Sequence, residues 1–170
     1  MTTFIESAGT PSVDDVVVRV ARNADVPALL AMHQRCSPDT LRFRYLSAYV
    51  PEEPTLLAML ARTYTLVAWH EGHAVAMGNL SVNSQVAEMA LLVEDEWQGR
   101  GVGQRLGDML AVVAANKGAL TMTATTAGEN RRVHKLMSQI GAAMHVEYES
   151  GTAYVTCELP GPASAEPGAA

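Results

Sequence analysis

The order of periodic segments predicts an α/β fold, with a mixed central sheet of about six to seven strands flanked by about four helices. Three observations lead there. Runs rich in β-branched residues alternate with runs whose apolar residues recur at helical spacing. Three strand-like runs follow one another with only tight turns between them, which requires antiparallel pairing. Later a strand, a helix and another strand follow in succession, as in a parallel crossover. Together these favour a mixed sheet over a doubly wound one.

The elements are justified in order. "VVVRVAR" (16–22) is β-branched throughout most of its length and reads as a strand. Asn23 can cap a helix that places Val26, Leu29, Leu30 and His33 on one face. "CSPDT" restarts a helix, with Ser37 as N-cap and Pro38 at the first helical position. "PEEPTLLAMLAR" (51–62) forms an amphipathic helix with Leu56, Leu57 and Leu60 on one side. "YTLVAWHEGHAVAMGNLSV" (64–82) gives two strands about a tight turn at Glu71, Gly72 and His73. "QVAEMALLV" (85–93) is apolar on both faces except at Glu88, the pattern of a central strand. Val102, Leu106, Met109, Leu110 and Val113 then mark a helix that ends at Lys117 and Gly118. "ALTMTATT" (119–126) is the next strand. Residues 130–140 form a helix with Val133, Leu136, Met137 and Ile140 inward, ended by Gly141. "MHVEYESGTAYVTCEL" (144–159) closes the chain as a hairpin.

At 170 residues and 48% hydrophobic, the chain suits one domain. That domain is expected over 15–159, between a segment 1–14 and a tail 160–170 whose small residues and prolines read as flexible. No apolar stretch reaches membrane-spanning length, and "MTTFIESAGTPSVDD" lacks a signal-peptide pattern. Cys36 and Cys157 show neither metal-ligand nor disulfide-framework spacing, and the histidines show no H-E-x-x-H pattern. No metal and a cytoplasmic location are expected. Acidic residues outnumber basic ones by 18 to 12, giving a net charge of -6. That argues against nucleic-acid binding and suits a cationic partner such as a lysine or polyamine.

The chemistry concentrates in "AEMALLVEDEWQGRGVGQRLG" (87–107). Gln98, Gly101 and Gly103 form Q-x-x-G-x-G between a strand end and a helix start, with Gly99 adding a further flexible position. Helix N-termini present unpaired N–H groups and partial positive charge, and glycines let an anion approach them. A pyrophosphate is the natural occupant, with Arg100 and Arg105 placed to add charge-assisted contacts. A dinucleotide fingerprint fails at Gln104 or Leu106, and the Gly-Lys-Ser/Thr of a P-loop is absent. Glu88 is expected to be buried, which raises a carboxyl pKa toward the range of a general base. The alternative is a structural glutamate paired with Arg42 or Arg44.

These residues resemble the acyl-CoA-binding signature of the GNAT family of N-acetyltransferases, and the strand order is similar to that fold over about 15–158. "AGENRRVHKLMSQIGA" (127–142) resembles the family's next element, and "HQRCSPDTLRFRYLSAY" (33–49) is similar to the acceptor-side helices of bacterial Pat-type protein-lysine acetyltransferases. The resemblance implies that backbone groups of Leu91, Leu92 and Val93 pair with the pantetheine arm where neighbouring strands splay. It implies that turn amides of Gly99, Arg100, Gly101, Val102, Gly103 and Gln104 hold the pyrophosphate, and that Asn130 contacts the pantetheine arm. An N–H of Val93 or Leu92 would polarise the thioester carbonyl. The activity implied is transfer of acetyl from acetyl-CoA to a primary amine by direct attack, with Glu88 as general base. A protein lysine is the favoured acceptor and a small-molecule amine the alternative; a homodimer is compatible with this. The tyrosine many members use to protonate the leaving thiolate is replaced by Met137, so no general acid is assigned. A non-catalytic acyl-CoA-binding module is the reading from another class.

Overall fold

The computed structural model describes residues 11–161. Strands β1 (Val17–Val20), β2 (Tyr64–His70), β3 (His73–Asn83), β4 (Val86–Val93), β5 (Thr121–Ala127), β6 (Ala142–Glu149) and β7 (Thr152–Glu158) form one sheet. Its order is β1-β2-β3-β4-β5-β7-β6, and β4–β5 is its parallel pair. Five helices pack on it: α1 (Val26–Arg35), α2 (Pro38–Tyr45), α3 (Glu53–Arg62), α4 (Val102–Asn116) and α5 (Arg131–Ile140). The sequence expectation of a mixed α/β sheet holds, with one helix more than its count. No helix among the described residues is long and apolar enough to cross a membrane.

Strand alternation sends side chains to two cores. Val67, Met77 and Leu92, neighbours in register, meet Leu29, Met32, Leu41 and Leu56 of α1, α2 and α3 on the front of the sheet. Leu66, Leu80, Met89 and Val155 meet Leu106 and Leu110 of α4 and Met137 of α5 on the back. A bulge opposite Ala68 and Trp69 lets Val75 and Ala76 both join the back core. The Glu71-Gly72 turn has positive φ at both residues, 46° and 80°, so it matches the strand twist as a two-residue hairpin.

Local departures have physical causes. Asn23 opens a 3-10 turn (Asn23–Asp25) before α1, because the Asp25 carboxylate bonds Arg19 and the Arg22 N–H there. In α1 Met32, not Leu30, completes the buried face. In α4 the row Val102, Leu106, Leu110 and Ala114 is buried, whereas Met109 is exposed. Gly107 completes that face because α5 lies close: a Cβ there would meet Ile140 at 3.0 Å. Residues 11–14 of the expected flexible segment include a capped turn, in which Ser12 Oγ accepts from the Asp14 N–H at 3.2 Å and Val13 packs on the back core. The remainder of that segment, 1–10, and the tail residues 162–170 lie outside the described residues.

Candidate active site

The site begins with an interrupted strand pairing. β4 pairs with β5 only where Val86, Ala87 and Glu88 face Thr121, Met122 and Thr123, yet it stays paired with β3 as far as Val93. A gap therefore opens between the C-terminal half of β4 and β5. The Glu94 N–H donates to the Val75 carbonyl at 3.0 Å, which fixes the ladder's phase. By alternation Leu92 turns its N–H and C=O to β3, while Leu91 and Val93 turn theirs to the gap. Leu92 therefore has no free amide for a pantetheine arm or a thioester carbonyl; its side chain fills the front core instead. The Val93 carbonyl is already taken by Gln98 Nε2 at 2.9 Å, so Leu91 and the Val93 N–H carry the exposed edge.

The glycine turn closes one end of the gap. Gly99 (φ 71°) and Gly101 (φ 88°) hold left-handed backbone that other residues adopt at a cost, and Gly101 is the N-cap of α4. Among the described residues no backbone or side-chain acceptor takes the N–H groups of residues 99–104. Gly103 has a different reason to be glycine. Its φ is ordinary and a Cβ would meet only Val93 Cγ2, at 3.5 Å, so neither conformation nor packing excludes a side chain. It lines a cavity of about 340 Å³, and a side chain would take up part of that space.

Other expected ligands play different parts. Arg100 bonds the Glu96 and Pro11 carbonyls, and Arg105 bonds those of Val13 and Val16, both at 3.0 Å. These guanidiniums clasp the N-terminal segment and are not aimed at an anion. Val102 is core, and Gln104 turns its amide to Asp108 at 2.7 Å. Gln98 is a strut: Nε2 donates to Thr40 Oγ1 at 2.9 Å and to Val93, and Oε1 accepts from Arg132. Asn130 lines the cavity while its Nδ2 bonds Thr126 Oγ1 at 2.8 Å. Among the lining residues that sequence reasoning missed are Thr40 and Phe43 of α2 and Arg132 and Lys135 of α5. The i,i+3 spacing of the last two was the available signal.

An open strand edge, free helix-terminal amides and a glycine held clear of a cavity match what a pantetheine–pyrophosphate chain requires. Residues 27–142 match the model of the acetyltransferase (GNAT) family. The chain belongs to the GNAT acetyltransferase family. It is similar to the GNAT domain of Streptomyces lividans PAT, at 22% identity and a TM-score of 0.74 over 84% of this chain and 89% of that one. It is also similar to yncA, a putative acetyltransferase from Salmonella typhimurium solved with acetyl-CoA (18% identity, TM-score 0.69, 90% and 99% covered). A phosphinothricin acetyltransferase from Sinorhizobium meliloti, in complex with acetyl-CoA, gives 18% identity and a TM-score of 0.68 over 88% and 92%.

Within this GNAT fold the acceptor side differs from expectation at Glu88. The residue is exposed, on the front face between Ser81 of β3 and Thr123 of β5, because α1, α2 and α3 leave that end of the sheet uncovered. The burial proposed to raise its pKa is absent. Among the described residues no basic group lies within 4.0 Å of it, so neither Arg42 nor Arg44 pairs with it. Arg42 instead meets Glu129 at 2.6 Å. Arg44 is largely enclosed: Nη2 donates to Asn79 Oδ1 at 3.0 Å, and its guanidinium lies 4.6 Å from the Tyr45 ring. Burial pushes its pKa down, and the nearby charges of Tyr45 and Glu88 partly oppose that. Met137 is fully buried in the back core and supplies no proton. Cys36 is buried, and burial drives its thiol up to about 12. Among the described residues no three His, Cys, Asp or Glu side chains cluster as metal ligands would.

Proposed function

We propose that this chain transfers the acetyl group of acetyl-CoA to a primary amine within a ternary complex, with Glu88 as general base. The observation that carries this is the gap beside β4, which ends at unsatisfied amides and a side-chain-free Gly103. The amides of Gly99–Gln104 take the pyrophosphate, Leu91 and the Val93 N–H align the pantetheine arm, and Arg132 and Lys135 supply the cationic wall. Val93 N–H is the donor best turned toward the thioester oxygen. Bound there, acetyl-CoA offers an electrophilic carbonyl. Glu88 receives one proton from the acceptor ammonium, directly or through a water, leaving a nucleophilic lone pair. The N–C bond forms, the C–S bond breaks with its electrons on sulfur, and the thiolate takes a proton from solvent. The second nitrogen proton is released to solvent and Glu88 then gives up the proton it took, so the products are an acetamide, CoA thiol and one net proton.

The Pat-like first helices nominate a protein lysine as acceptor, and exposed Glu147 and Glu149 on the same face as Glu88 support a cationic partner. A second reading, a small amine bearing its own anionic group, is favoured by Arg44. The proposed place of action is the cytoplasm, which the two buried, unbridged cysteines support. The test is thiol release from acetyl-CoA with a panel of amines and lysine peptides. Acceptor-dependent release is expected. CoA binding by calorimetry without release would leave a non-catalytic CoA-binding module, and no heat with CoA would remove the donor site.

A further inference from the structure

On the front face Arg44 is an enclosed cation that no carboxylate among the described residues neutralises within 4.0 Å. Three other arginines of the front layer are matched. Arg19 meets Asp25 at 2.7 Å, Arg35 meets Glu94 at 2.9 Å, and Arg42 meets Glu129 at 2.6 Å. Arg44 has no carboxylate oxygen within 4.0 Å among the described residues, although it is the one with a sealed donor: its Nε is buried without a partner. An enclosed, unmatched charge is costly to a fold. Arg44 is nonetheless rigidly built in. Asn79 is buried, its Nδ2 donates to Thr65 Oγ1 at 2.8 Å and to Thr63 Oγ1 at 3.3 Å, and this turns its Oδ1 toward Arg44 Nη2. Tyr45 covers one face of the guanidinium. Nη1 has no hydrogen bond and is not sealed off, so one edge of the fork stays open to a ligand.

Sheet register then places an opposite charge beside it. Asn79 faces Ala90 across β3 and β4, and Glu88 is the next residue along β4 on that same face. Glu88 is close enough for its charge to favour the guanidinium, yet the two do not pair. Ala90, small and half-buried, is the β4 residue on that face between Glu88 and Leu92. The front face thus presents a cation and an anion side by side, each with open hydrogen-bonding capacity.

We propose that Arg44 and Glu88 together select a zwitterionic acceptor, an amino acid or close analogue, with Arg44 holding its carboxylate or equivalent oxyanion and Glu88 meeting its ammonium. This rests on the acetyl-transfer reading above and names the acceptor class for that same site. A lysine side chain offers the ammonium and no anion, and would leave Arg44 as it stands. The planar fork suits a carboxylate or phosphinate, and a group built to be matched discriminates strongly against analogues that lack the match.

The experiment uses the full chain at saturating acetyl-CoA with thiol detection. The acceptors are the common L-amino acids, the decarboxylated amine of each active one, and a lysine peptide blocked at both ends. The expected result is a kcat/KM for the amino acid on the order of 100-fold above that of its decarboxylated amine and of the peptide. In Arg44→Gln and Arg44→Met that ratio falls toward one, with the loss carried by KM of the amino acid, and Arg44→Lys recovers part of it. Equal wild-type activity on carboxylate-bearing and carboxylate-free amines overturns the proposal while leaving acetyl transfer intact. So does a loss in Arg44→Lys and Arg44→Gln that falls on kcat equally for all acceptors, which is the mark of a structural or Glu88-positioning role. Failure of every amine in the panel to elicit thiol release, despite CoA binding, overturns the acetyl-transfer reading itself.

Discussion

The two halves of the site are made of different materials. The proposed donor half is built from backbone: an unpaired strand edge at Leu91 and Val93, free amides in the glycine turn, and a glycine kept clear at 103. The proposed acceptor half is built from side chains on separate elements: Arg44 of α2, Asn79 of β3 and Glu88 of β4. Backbone recognition accepts a ligand every homologous transferase shares, because amides and helix dipoles do not vary with sequence. Side-chain recognition is where one chain can differ from another of the same fold. The halves should therefore fail separately, one in CoA affinity and the other in turnover or acceptor choice.

The largest separation is expected at Glu88. Glu88→Gln keeps shape and removes the base, so kcat falls on the order of 10²–10⁴-fold while the calorimetric Kd for acetyl-CoA stays within about twofold. Because Glu88 is exposed, the substitution leaves the melting temperature where it was. Unchanged kcat at saturating acceptor would take Glu88 out of the mechanism.

Gly103→Val gives the converse. Its Cβ makes ordinary contact with Val93, so the fold tolerates it, but its methyls occupy the space beside the free amides. The Kd for CoA is expected to rise by about 100-fold, equivalent to about 2.7 kcal/mol, with a small shift in melting temperature. Unaltered affinity would mean that the anion does not come to this turn.

The same division explains what could be read from the sequence. The donor half was legible because glycine spacing is a covalent record of backbone demand: Gly99 and Gly101 need positive φ, and Gly103 needs room. Strand order was legible because alternation and turn chemistry are local. Glu88 was found but its burial was not, since exposure depends on how far α2 extends over the sheet, and α2 stops at Tyr45. Arg100 and Arg105 looked like phosphate ligands because they flank the turn, yet their length lets Arg100 reach back to Pro11 and Arg105 to Val13 and Val16. The unpaired state of Arg44 could not be seen at all. It depends on a contact across 35 residues to Asn79 and on Glu88, the neighbouring acid, standing outside pairing distance, and both are set by register.

Gln98 joins the halves and should show an intermediate effect. It ties the end of β4 to Thr40 on α2 and to Arg132 on α5. Gln98→Ala leaves those partners facing the cavity, and each lost bond of this kind is worth about 1 kcal/mol. The expected result is a rise of about 5- to 10-fold in KM for acetyl-CoA, with kcat changed less. A kcat effect that exceeds the KM effect would instead place Gln98 nearer the chemistry.

The smallest effect tests whether the acceptor half also responds separately to pH. His33 is fully buried on α1; its Nδ1 lies 2.7 Å from the Leu29 carbonyl and must donate, so Nε2 accepts from the Tyr45 hydroxyl at 2.7 Å. This holds the ring neutral and fixes Tyr45, which covers Arg44. Burial lowers the His33 pKa below its usual 6.5, and the Arg44 charge lowers it further, against the Leu29 bond. A depressed pKa means that the unfolded chain binds a proton before the native one does. The stability it contributes is therefore complete above about pH 6.5 and declines as pH falls toward the folded-state value, at about 1.4 kcal/mol per pH unit. The melting temperature should drop by about 3–6 °C per unit in that window, and His33→Gln should flatten the slope. If the halves are independent, hydrogen exchange will quicken in α1 and α2 while CoA affinity holds. Equal loosening around α4 and α5 would mean that the two cores unfold as one.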